Sequence, residues 1–144
     1  MFQVWTMPES TKVEISFNKI QRIAGLDDLA RILFPHNTRH QKVFCAMFLE
    51  LKYAPDQFLG SFSFLAKKYS FSQRVLEKVR AKCRRMGIFD HVSRFNSKHG
   101  YREGWVFSNR FGLSLVKLGV TYNEFRKITE ATRKEKDFDA LGYV

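Results

Sequence analysis

The sequence predicts a mainly α-helical protein with one small β-hairpin, extended at both ends. Three observations lead there. Between Thr38 and Met86, apolar residues recur at helical spacing in three successive stretches. From Ile88 to Phe107 the pattern changes to two runs rich in β-branched and aromatic residues, set around a turn-forming segment. The 144 residues also carry 25 Lys+Arg against 14 Asp+Glu, a net charge of +11 whose excess is concentrated in one part of the chain.

The length favours one compact domain with extensions, and 44% hydrophobic with 27% charged residues excludes wholesale disorder. The longest apolar run, Val43 to Leu49, falls far short of the ~20 residues a membrane helix needs. The first eight residues, Met1 to Pro8, have neither a basic start nor a long apolar core, so no secretory leader is expected. Cys45 and Cys83 form no CxxC pair, which fits a reducing, cytoplasmic setting.

Taken in order, Lys12 to Phe17 alternates polar and apolar residues, the period of a half-buried strand. A helix over Leu26–Phe34 follows Gly25, with Leu26, Leu29, Ile32 and Leu33 on one face and Asp27 and Asp28 in its first turn, where the helix dipole favours them. After Pro35, Thr38 and Gln41 have capping-box spacing at the start of a helix reaching Ala54, striped by Phe44, Met47, Phe48 and Leu51. A second helix begins near Ser61 or Ser63 and carries Phe64, Leu65 and Ala66. A third runs from Ser72 as N-cap to Met86, with Leu76, Val79, Cys83 and Met86 inward and Gly87 as its stop. Ile88–Phe95 and Trp105–Phe107 then make a hairpin around the long basic turn Asn96–Gly104. Leu113 to Leu118 reads as a short helix ended by Gly119, and Thr121–Lys136 as another, with Tyr122, Phe125, Ile128 and Thr132 along one side. The domain reading is an extension over 1–36, a central domain over 37–110 and a helical extension over 111–144.

The charge follows these divisions. Residues 1–36 are neutral overall, residues 37–110 carry 15 basic and 5 acidic groups, and residues 111–144 are nearly balanced. A surplus confined to the middle is the footprint of a surface that meets a polyanion.

Three helices, a tight connection and a hairpin, with the residues Leu65 to Leu76, resemble the winged helix-turn-helix superfamily over about residues 38–108. In that pattern Ala66 is the small residue where two helices cross, Phe71 plugs the turn and Ser72 caps the recognition helix. Ser70 stands where the family usually has Gly, and Phe71 where it usually has a small β-branched residue. Arg85 to Phe89 resembles the junction leading from recognition helix into wing. The resemblance implies a double-stranded DNA-binding protein, most naturally a transcriptional regulator. The recognition helix would enter the major groove, about 12 Å wide, and the wing would meet the backbone or minor groove.

With Leu76, Val79, Cys83 and Met86 inward, the opposite face of the 72–86 helix presents Arg74, Glu77, Lys78, Ala81, Arg84 and Arg85. Near its start, Ser72, Gln73 and Arg74 are placed for base edges, Arg74 for guanine and Gln73 for adenine, while Glu77 can accept from cytosine or pair with a neighbouring cation. Lys78, Arg84 and Arg85 are expected at phosphates, with Ser61, Lys67 and Lys68 as further contacts. The wing contributes Arg94, Lys98, His99 and Arg102. Phe62, Phe95 and Tyr101 invite a second reading as stacking platforms for single strands, and RNA remains open as a partner.

No enzyme is expected. His36, His40, His91, His99 and the two cysteines show no metal-site spacing, and no Gly-rich phosphate loop or GxSxG appears, so neither cofactor nor metal is expected. The resemblance also implies a homodimer, through 121–136 or 26–34. The alternatives to a regulator are a replication or plasmid-maintenance initiator of the same fold, and a winged helix that serves only protein–protein contact.

Overall fold

A computed structural model describes residues 11–97 and 100–143, with only the backbone for Arg94 and Asn96. It is mainly helical with one two-stranded antiparallel hairpin. Two compact units divide it, the first ending at Asn109 and the second beginning at Arg110.

The first unit opens with an extended arm, helix α1 (Phe17–Gln21) and helix α2 (Leu26–Leu33). The strand expected over Lys12–Phe17 does not form, because no strand among the described residues lies alongside it. One hydrogen bond, Glu14 N–H to the Ile32 carbonyl at 2.9 Å, holds the arm to the end of α2, and Ile15 and Phe17 stay exposed. Asp28 caps α2 from inside by accepting from the backbone N–H groups of Ala24 and Gly25.

Helix α3 (Thr38–Lys52) starts one residue earlier in its capping than its sequence suggests. Asn37 is the N-cap and accepts from His40 N–H at 3.0 Å. Gln41 instead donates its amide to the Phe34 carbonyl at 2.9 Å, so no capping box forms at Thr38. Helix α4 (Phe64–Lys68) and helix α5 (Gln73–Met86) follow. Gly87, at φ 81°, closes α5 in the left-handed conformation, with its own N–H and that of Ile88 returned to the last turn.

The hairpin pairs β1 (Phe89–Asn96) with β2 (Gly100–Phe107), Phe89 opposite Phe107 and Asn96 opposite Gly100. β2 is longer than expected. Residues 97–99 alone lie between the strands, and Arg102, Glu103 and Gly104, read from the sequence as turn, belong to β2. The reason is a third backbone segment. Leu59 pairs with Trp105, their N–H and carbonyl groups exchanging bonds of 3.1 and 2.6 Å. A Cβ on Gly104 would fall on the Leu59 carbonyl oxygen, 2.8 Å from Phe58 Cε1 and 2.9 Å from the Gly60 Cα. That glycine is required by close backbone approach, and a turn has no part in it.

The core explains the aromatic content. Rings run in contact from Phe34 through Phe44, Phe48, Phe107, Phe89 and Phe62 to Trp105, with centroids 5.1–5.9 Å apart. Phe62 is wholly buried in this series, so it is no stacking platform. Leu65, Leu76, Val79 and Cys83 fill the space between α4, α5 and this series. On α2, Ala30, Ile32 and Leu33 are buried, and α2 packs against α3.

The second unit contains helix α6 (Arg110–Lys127) and helix α7 (Ala131–Asp139). Gly119 does not end a helix, since an interior glycine costs only about 1 kcal/mol and the flanking turns continue through it. The break comes later, where Glu130 adopts extended backbone as the N-cap of α7.

Replacing Gly104 by Ala should destabilise the first unit by about 1–3 kcal/mol, because backbone and not a yielding side chain blocks the new methyl group. Thermal unfolding followed by circular dichroism should show a midpoint several degrees lower; an unchanged midpoint would contradict the close approach.

Candidate nucleic-acid interface

Helix α5 sorts its cations into three directions. Outward, Gln73, Arg74, Glu77, Lys78, Arg84 and Arg85 are exposed, as the wheel requires, while Ala81 is half-buried. No ion pair among the described residues engages Arg74 or Lys78. Ser72 is the N-cap by position and is exposed, but its hydroxyl makes no capping hydrogen bond, so the first N–H groups of α5 are left to other acceptors.

Sideways, α5 meets the hairpin. Arg80 and Arg84 lie over the Trp105 ring, their guanidinium carbons 5.5 and 6.0 Å from its centroid. His91 packs edge-on against the same ring at 4.9 Å, and its Nε2 is 3.9 Å from the Glu103 carboxylate. The hairpin packs on the helices through this indole, and the partner that went unread in the sequence is Arg80. The available signal was the position of Arg80 beside Leu76 and Cys83 on the helical wheel.

Inward lies the largest surprise. Lys82 is buried, and its ammonium donates to the carbonyls of Leu33 and, at 2.7 Å, Lys12, while sitting 4.3 Å from the Phe34 ring centroid. Burial lowers its pKa from the ordinary lysine range. It thereby satisfies a carbonyl at the end of α2 and ties the N-terminal arm to α5. Its neighbour Cys83 is a wholly buried thiol whose pKa burial pushes up, which makes it an inert core residue.

The turn before α5 is held in shape by backbone and aromatic contacts. Ser70 takes the left-handed conformation at φ 58°, and Phe71 N–H reaches back to the Ala66 carbonyl at 2.8 Å. Phe71 is half-buried and stacks on Tyr69 at 5.6 Å. Glu50, on α3, accepts from Lys68 Nζ and from the Tyr69 hydroxyl, both at 2.5 Å. Lys68 is thus committed within the fold, while Lys67 is exposed beside it.

The hairpin residues are distributed differently from their expected grouping. Lys98 and His99 lie outside the described residues, as does the side chain of Arg94, whose backbone pairs opposite Arg102. Arg102 stands inside β2 and not at the tip, its guanidinium 4.2 Å from the Phe58 ring centroid and 3.8 Å from the Asp56 carboxylate. Phe95 and Tyr101, directly opposite each other, are both exposed.

Among the described residues, no three His, Cys, Asp or Glu side chains gather to hold a metal ion, and no helix is long and apolar enough to cross a membrane. No family model matches the chain, and no curated protein or solved structure matches it either.

The hydrogen bonds from Lys68 and Tyr69 lower the pKa of Glu50 below the usual carboxylate value. Its contribution to stability is therefore full above the unfolded carboxylate pKa and is lost as pH falls through the lower folded value. Glu50→Gln should unfold a few degrees below wild type near neutral pH, and the two midpoints should converge on acidification; a constant gap down to strongly acidic pH would contradict this.

Proposed function

We propose that this chain is a winged helix-turn-helix protein that binds double-stranded DNA as a transcriptional regulator. In this reading α5 lies in the major groove and the β1–β2 hairpin meets the backbone or minor groove. The carrying observation is the allocation of charge on α5: Arg74 and Lys78 are exposed outside any ion pair among the described residues, while Lys82 is turned inward. The order of elements supports the same reading, with α3, the Leu59 bridge, α4, the Ser70 turn, α5 and the hairpin in succession. The surplus positive charge of residues 37–110 supplies the sequence-independent attraction to phosphate.

Arg74 is the candidate for bidentate contact with guanine, and Gln73 and Glu77 flank it; Lys78, Arg84 and Arg85 serve phosphates. Selection of bound sites from random duplexes tests the reading. An enriched palindrome supports a dimeric regulator, an asymmetric or repeated element favours a replication or plasmid-maintenance initiator, and no enrichment favours a protein-interaction module. Arg74→Ala should cost about 1–3 kcal/mol of discrimination at one base position. Lys78→Ala should weaken all sequences alike and reduce the slope of log affinity against log salt by about 1. Equal loss across all sequences for Arg74→Ala would remove it from the base-reading role.

A homodimer belongs to this proposal, through α6, which shares residues 121–127 with the expected segment 121–136. The apolar side of 26–34 is spent on α3, and 121–136 is interrupted between α6 and α7. On α6 itself, Phe111, Leu115, Leu118, Tyr122 and Phe125 repeat at spacings of four and three, the seam of a coiled coil. Leu115, Leu118, Tyr122 and Phe125 are exposed, and the flanking Gly112, Ser114, Gly119 and Thr121 carry no charge to repel a second copy. Five such side chains from each copy would bury roughly 1,200 Å², the lower end of a stable interface. Leu118→Asp should convert the dimer to a monomer by light scattering after size exclusion, without lowering the unfolding midpoint of the first unit. A wild-type monomer at all concentrations tested would remove the dimer from the proposal.

A further inference from the structure

The hairpin carries an apolar pattern beyond the end of the core. Residues directly opposite across two antiparallel strands share a face, and every second pair shares it again. One face of this hairpin therefore holds Phe89 with Phe107, His91 with Trp105, Ser93 with Glu103, and Phe95 with Tyr101. The first two pairs are structural. Phe89 is fully buried and Trp105 is 6% exposed, packed on Phe62 and beneath Arg80 and Arg84 of α5. The last pair is not: Phe95 is 79% and Tyr101 66% exposed. Two adjacent rings thus lie on the side of the hairpin that faces α5, past the point where the helix covers it.

Among the described residues neither ring contacts another ring, and both are largely exposed. Their chemistry and their setting suggest an occupant. Two exposed aromatic rings in a region carrying 15 basic and 5 acidic groups fit a ligand that is itself flat, aromatic and strung on a polyanion. Bases within an intact duplex present only their edges, whereas unpaired bases present the faces that such rings stack upon.

We propose that Phe95 and Tyr101 stack on unpaired nucleobases adjoining a duplex held along α5, so that the preferred ligand is DNA with a single-stranded extension or opened end. This rests on the DNA-binding reading above and narrows its substrate. Arg74 and Lys78 hold the paired part, and the aromatic pair holds the first bases beyond it.

The test compares a short blunt duplex with the same duplex bearing an extension of ~8 nucleotides, within the ~4–16 that single-stranded sites span. Affinity is read by fluorescence anisotropy at ~100 mM salt, where electrostatic attraction alone is moderate. Wild type should bind the extended ligand ~10-fold or more tightly than the blunt one. Phe95→Ala and Tyr101→Ala should each lose ~5-fold or more on the extended ligand and stay within ~2-fold of wild type on the blunt one. Phe95→Tyr and Tyr101→Phe should retain the preference, since the π-face is kept. Equal wild-type affinity for the two ligands would overturn the inference while leaving duplex binding intact. So would a preference that survives in the double alanine variant, the result expected if the rings serve a protein partner. Absence of affinity for either ligand would overturn both this inference and the DNA-binding reading.

Discussion

The placement of the hairpin depends on a backbone-to-backbone contact that tolerates no side chain. Leu59 and Trp105 exchange hydrogen bonds at the edge of β2, and they come together only because residue 104 has no Cβ. That contact brings the segment between α3 and α4 alongside the hairpin. The indole of Trp105 then lies between Phe62 and the guanidinium groups of Arg80 and Arg84. Release of the Leu59 pairing would remove the backbone attachment of β2, leaving the hairpin held by the junction at Gly87 and by side-chain packing such as Phe48 on Phe107 and Phe62 on Phe89. The angle between α5 and β1–β2 is thus set by main-chain geometry and an aromatic filling, and both are stiff.

Helix α5 shows how one element serves two purposes with a single residue type. Lysine and arginine occupy all its sides, and the interior surroundings decide what each does. Lys82 meets two carbonyls and a ring and becomes a tie between α5, α2 and the arm. Arg80 and Arg84 meet an indole and become part of the hairpin contact. On the remaining side cations such as Arg74 and Lys78 are left to solvent, and Arg84 stays exposed even as it lies over the indole. Formal charge therefore overstates what a polyanion would encounter, since Lys68, Lys82 and Arg102 are engaged inside the first unit.

The sequence was most legible where local chemistry and tertiary packing agree. The stripe Leu76, Val79 and Cys83, closed by Gly87, marks α5 without reference to the rest of the chain, and the Phe44, Met47 and Leu51 stripe does the same for α3. It was least legible where a distant segment decides. The alternation at Lys12–Phe17 has strand period but finds no partner strand among the described residues. Gly104 has turn composition but is fixed by Leu59, which is far from it in sequence and in contact with it in the fold. Gly119 has the look of a helix stop yet sits mid-helix in α6. At the candidate site, the exposed residues of α5 were readable from the wheel alone. The commitments of Lys68, Lys82 and Arg102 were not, because their partners lie on α3, on α2 with the arm, and beside Phe58.

The seclusion of Lys82 also gives this helix a chemical asymmetry. An amine reacts only where a reagent can reach its nitrogen, and the Lys82 nitrogen, clasped by two carbonyl oxygens beneath a phenyl ring, is closed to solvent. Lys78, one helical turn earlier and exposed, meets reagents directly. Acylating agents therefore distinguish two lysines of the same helix: one is labelled in the folded chain, while the other reacts only when α2 and the arm lift away, so its labelling rate reports on that opening.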